Sequence, residues 1–233
     1  MSATSERVSI GRLILWPSII TLAITVLRLV GELQHWSPKL FNPEAGGGGA
    51  LVGISWLPLI FGVYFAIKLA GAGEEPPSAS RAILVPVLGL VLVVGAAVVA
   101  TVIAKTATTG TIDYASFVKQ LIIINIAALV AIIVQRYSWP ALFKTLLAYA
   151  FAARIPVALI MLIAIYKNWG THYDVAPTPE FPAMHWFMKW LLIGALPQFL
   201  IWIAFTVIVG GLVGGITGAI ARRRTRTQQP VTA

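Results

Sequence analysis

Six apolar runs follow one another along the chain, at 13–30, 51–70, 83–104, 117–134, 141–166 and 190–220. A helix crossing a hydrocarbon core of about 30 Å needs about 20 such residues. The breakers fall between the runs: Pro38, Pro43 and Gly46 to Gly49 after the first, 71-GAGEEPP-77 after the second, 106-TATTGT-111 after the third, 168-NWGTHYDVAPTPEFP-182 after the fifth. The pattern predicts an all-α fold, a polytopic integral membrane bundle of six transmembrane helices. It forms one transmembrane domain over 13–220, with polar tails at 1–12 and 221–233. A short connection at 135–140 predicts a hairpin between the fourth and fifth helices.

Two runs need comment. The first reaches Val30 with Arg28 inside it and no small-x-small site after it, so it reads as a retained helix, not a cleaved leader. The last has 31 residues, about 46 Å of helix. It tilts, extends beyond the bilayer or breaks near Pro197, with five or seven spans as the alternatives to six.

Composition agrees with the membrane class. The chain is 58% hydrophobic and 11% charged, whereas a soluble domain is about a quarter charged. The net charge of +9 is not spread as a nucleic-acid footprint would be. It flanks the apolar runs and crowds into 222-RRRTR-226. With the N-terminus inside, the inner side holds ten of the 17 basic residues and the outer side five (Lys39, Lys105, Lys119, Lys167 and Lys189), leaving Arg28 and Arg154 within spans. The positive-inside rule therefore puts both termini in the cytoplasm of an inner or plasma membrane protein, with lipids as partners and no nucleic acid. Trp36, Trp56, Trp169, Trp186 and Trp190 sit at outer helix ends and Trp16 and Trp139 at inner ones, with Trp202 alone inside a span. Cysteine is absent, which excludes disulfides and thiolate metal sites.

Arg154 lies at the middle of the fifth run with no other charge near it. A central arginine costs roughly 2.5–3.5 kcal/mol on insertion scales, and it cannot shed its proton. It needs partners. Asn125 and Gln198 lie near the same depth, and Pro156 and Pro197 open local helix breaks. None of these carries a negative charge. The one carboxylate close to a span, Glu32, follows Arg28 by four residues and is expected to pair with it. An anionic small molecule or lipid headgroup would fill the guanidinium fork of Arg154. The alternative is internal: Arg154 bonded to Asn125, Gln198 and free carbonyls near Pro156, or reaching Glu32 across the bundle.

Other features carry weaker expectations. His35, His172 and His185 share the outer side with Glu32, Glu44, Asp174 and Glu180, a donor chemistry suited to zinc or copper, or to haem through two histidines, but the spacing matches no metal motif. In 44-EAGGGGALVG-53, backbone N–H groups ahead of a helix can cradle an anion. Gly210, Gly214 and Gly218, with Gly211 and Gly215, form a doubled small-residue stripe. Ala96, Ala100 and Ala104 are a possible mate, and a homodimer is a possible use. There is no Gly-x-Ser-x-Gly, no His-Glu-x-x-His and no intramembrane acid pair, which lowers the enzyme and proton-pump readings. Binding of an anion by Arg154 leads. An accessory subunit of a membrane complex and a metal or haem protein are the alternatives.

Overall fold

The computed structural model describes residues 8–47, 51–107, 113–177, 181 and 183–227. Arg7, Gly48, Gly49, Glu180 and Pro182 lie outside the described residues, as do the side chains of Lys105, Arg223, Arg224 and Arg226. All regular structure among them is helical: α1 (Ile10–Leu33), α2 (Leu57–Gly71), α3 (Ala79–Ala107), α4 (Tyr114–Gln135), α5 (Pro140–Lys167), α6 (Trp186–Lys189) and α7 (Trp202–Thr227). Between α6 and α7 the helix runs on through two π-type segments, Trp190–Ala195 and Pro197–Ile201. The long last run therefore neither ends nor splits at Pro197. The missing N–H of proline is absorbed by wider turns.

The helix ends follow local chemistry. Asp113 caps α4, its carboxylate accepting from Ser116 N at 2.6 Å. Pro140 opens α5, where its missing N–H loses nothing. Asn168 closes α5 in the left-handed conformation, φ 53°.

Five helices are long and apolar enough to cross a membrane: α1, α3, α4, α5 and the run Trp186–Arg222. The second apolar run differs from expectation. Residues 51–56 form bends and turns, and helix begins only at Leu57, with Pro58 in the first turn. The resulting α2 has 15 residues, about 22 Å, shorter than a hydrocarbon core. Gly53 to Ser55 of the freed segment line a cavity instead, as described below.

The surface fits a membrane protein. Leu84, Leu88, Val91 and Ile126 are each more than half exposed, and large apolar side chains exposed in this number suit lipid surroundings. Inside, Phe65, Ala66, Leu146, Ala150 and Ile203 are fully buried. α7 is the hub and packs against α2, α3, α4 and α5, while α1 leans on α5. The expected hairpin of α4 with α5 does not form. α4 packs on α3, α7 and the second π segment, because α7 occupies the face that α5 presents to the bundle.

Glycines make that hub possible. A Cβ on Gly215 would run into the Ala82 carbonyl of α3, and one on Gly214 would lie 2.6 Å from Leu142 Cδ2 and 2.9 Å from the Gly62 carbonyl. Gly210 meets Leu146, Gly211 faces Pro86 and Gly218 faces Trp139. The stripe is thus covered by α2, α3 and α5 of the same chain, and a second copy would have to displace them. Its mates on α3 are Ala82 and Pro86, not Ala96, Ala100 and Ala104. Antiparallel packing puts the first turns of α3 beside the middle turns of α7. Trp139 also departs from expectation. It is buried, with Nε1 donating to the Glu74 carbonyl at 2.9 Å, so it ties a loop to the bundle instead of sitting in an interfacial belt.

Candidate functional site: a cavity ending on Arg154

α5 carries Arg154 to mid-bundle, 13 residues before its last residue, about 20 Å along the axis. The side chain is 4% exposed. Its Nη1 donates to Gln198 Oε1 at a long 3.4 Å, and its guanidinium carbon lies over the Trp202 ring, 4.8 Å from the centroid. Nε is buried with no hydrogen-bond partner. Among the described residues no carboxylate lies within ion-pair distance of Arg154.

The π-type geometry helps to explain how Gln198 reaches this place. In the wider turns around Pro197 the glutamine faces α5, with Nε2 3.5 Å from Met161 Sδ while Oε1 accepts from Arg154. Trp190 is drawn inward as well, donating from Nε1 to the Ala158 carbonyl of α5 at 2.9 Å.

A cavity of about 200 Å³ joins this depth to the loops at one end of the bundle. Arg154, Gln198 and Trp202 are at its inner part. Ala45, Gly46 and Gly53 to Ser55 line it from the α1–α2 connection, and His172, Tyr173, Val175 and Pro177 from the α5–α6 connection. Ile24, Val157, Met161 and Ile193 supply apolar walls.

Arg28 also borders the cavity, but it is engaged. Its Nε donates to Glu32 Oε1 at 2.8 Å and its Nη2 to the Asn42 carbonyl at 3.2 Å, the expected i,i+4 pair. Glu32 is itself buried and does more than pair with Arg28. Its Oε2 accepts from the His172 backbone N at 2.9 Å, and its Oε1 is 2.5 Å from His172 Nδ1. One carboxylate thus straps the α5–α6 connection onto α1. Burial, outweighing the neighbouring Glu32, holds the His172 imidazole below its ordinary range. Burial also pushes the Tyr173 phenol up; its hydroxyl donates to the Thr25 carbonyl at 3.4 Å.

The structure thus brings Arg154, Gln198 and Arg28 to one cavity, with Glu32 behind Arg28. It does not bring Asn125. That side chain donates to Leu121 O of its own helix at 2.6 Å and borders no part of the cavity, because α4 lies on the far side of α7. The three histidines also have separate surroundings. His35 is exposed in the left-handed conformation, φ 51°, and His185 Nδ1 accepts from Phe187 N at 3.4 Å. Asp174 is taken up by a turn, accepting from Gly170 N, Thr171 N and Thr171 Oγ1. Among the described residues no three His, Asp or Glu side chains gather as a metal site would require.

Trp202, Tyr173 and Ile54 were not legible as site residues, and Met161 only through its i+7 spacing from Arg154 on one helix face. Trp202 had left one trace, as the tryptophan out of place within a span. Compared with known protein families, curated proteins and solved structures, the chain matches none of them.

Proposed function

We propose that the chain is a multi-pass protein of the cell membrane that binds an anion in the cavity, with Arg154 as charge anchor and Gln198 orienting it. One observation carries the reading: a central arginine, 4% exposed, borders a cavity and has no carboxylate partner among the described residues. A buried charge left unpaired is strongly unfavourable, so a site that retains one is best explained by a ligand of opposite sign. The outer loops line the mouth and the arginine lies at depth, a layout suited to uptake or sensing from that side.

In this reading α2 is a sixth membrane segment, reaching across together with the bends at 51–56, and both termini are inside. The absence of native cysteine makes orientation simple to test. Lys39→Cys is expected to react with an impermeant maleimide added outside intact cells, and Ser80→Cys only after lysis. The reverse labelling would invert the topology.

Binding is tested by native mass spectrometry on protein released gently from its membrane. An anionic adduct present on the wild type and lost in Arg154→Ala supports the proposal. A bare wild-type mass, or an adduct that survives the substitution, counts against it.

A further inference from the structure

The charge and size of the cavity narrow the class of anion, an inference that rests on Arg154 as the anchor. We infer that the site takes a small monoanion with an apolar body, a carboxylic acid of several carbons.

The first argument is charge. Arg154 and Arg28 are the arginines that border the cavity. Arg28 is already neutralised by Glu32 at 2.8 Å. His172, kept below its ordinary range by burial, adds no charge near neutral pH. Among the described lining residues there is no aspartate or glutamate. The cavity therefore offers one uncompensated positive charge. A carboxylate balances it. A phosphate monoester carries about −1.5 to −2 at pH 7 and would leave negative charge buried without a partner.

The second argument is shape. A volume of about 200 Å³ is below the roughly 300–1,000 Å³ of drug-sized ligand sites. It suits a small molecule better than a nucleotide or a whole diacyl lipid. Beside the arginine the wall is apolar: Ile24, Val157, Met161 and Ile193, with the Trp202 ring under the guanidinium. Each methylene buried there raises affinity roughly fourfold. A bare acetate forgoes that gain, and a dicarboxylate places its second charge against hydrocarbon.

The test uses the full chain in nanodiscs of phosphatidylcholine, so that no anionic lipid competes. Calorimetric titration at neutral pH compares acetate, hexanoate, dodecanoate, succinate and inorganic phosphate, on the wild type, on Arg154→Gln and on Ile54→Trp. The last fills the cavity from its loop and leaves the arginine in place, so it reports even where the arginine variant fails to fold. The expected result is hexanoate binding at least about tenfold tighter than acetate, succinate or phosphate, lost in both variants. An affinity that levels off at hexanoate identifies an acid taken from solution, and one that rises further to dodecanoate identifies a fatty acid drawn from the bilayer. Succinate or phosphate binding as tightly as hexanoate, still lost in Arg154→Gln, overturns the monoanion class and leaves the anion site standing. Binding of none of the probes, or binding unchanged in both variants, overturns the inference and the anion site together.

Discussion

The guanidinium carbon of Arg154 stands 4.8 Å from the centroid of the Trp202 ring, one helix supplying a buried cation and another the aromatic face that receives it. A desolvated cation–π contact is worth about 2 kcal/mol. That offsets much, but not all, of the roughly 2.5–3.5 kcal/mol that a mid-helix arginine costs. The long Gln198 hydrogen bond adds to that offset, and a ligand carboxylate would engage the Nε that neither contact uses.

From this follows an expected dissociation of stability from binding. Arg154→Met removes the charge and keeps most of the volume. Ligand-free, the variant should unfold at a temperature equal to or above that of the wild type, since replacing an uncompensated buried charge with an apolar side chain is neutral or stabilising. It should at the same time lose anion binding. Thermal unfolding in detergent without added anion checks the first half. A large drop would mean that Arg154 serves as internal glue.

Glu32 is a different matter, since it is buried and has three partners in Arg28 Nε, His172 N and His172 Nδ1. Glu32→Gln should destabilise by about 3 kcal/mol, the usual consequence of breaking a buried pair. It should also release the strap on residues 170–175, read as faster amide hydrogen exchange there. Unchanged exchange would show that the Asp174 turn holds the segment unaided.

The strap should respond to acid through His172. Burial lowers the folded-state pKa of its imidazole from the ordinary 6.5. As pH falls, the unfolded chain takes up the proton first. The contribution of neutral His172 is therefore complete above pH 6.5 and is lost as pH drops below it toward the lowered folded value. Arg28, Glu32, Tyr173 and Asp174 surround the ring and keep their places in the comparison. Wild-type stability should fall as pH drops below about 6.5, with a shallower fall in His172→Gln. Equal slopes would exclude His172 as the group responsible.

Glycine positions divide into two kinds. Gly214→Leu and Gly215→Leu should each destabilise by about 3 kcal/mol or more, because α7 would be forced away from α2, α3 and α5. Gly95→Ala on α3 meets nothing within 4 Å and should be neutral or stabilising by up to about 1 kcal/mol. The folded fraction of each variant by size-exclusion chromatography in detergent measures the difference.

The sequence alone determined the class of the molecule and five of its long helices, because a bilayer imposes length and apolarity locally and each run answers to that constraint by itself. It also determined the Arg28–Glu32 pair, which one helical turn dictates, and the isolation of Arg154 within an apolar run. Which residues meet Arg154 was decided by tertiary structure. Asn125 and Gln198 looked equivalent by depth, but depth along a helix says nothing of which neighbour that helix faces. Packing of α7 between α4 and α5 removed Asn125, and π-type turns around Pro197 carried Gln198 and Trp202 to the arginine. The cavity likewise exists only because 51–56 unwinds and the α5–α6 connection folds back onto Glu32. Those are contacts between residues up to 148 apart in the chain, which no local pattern of hydrophobicity encodes.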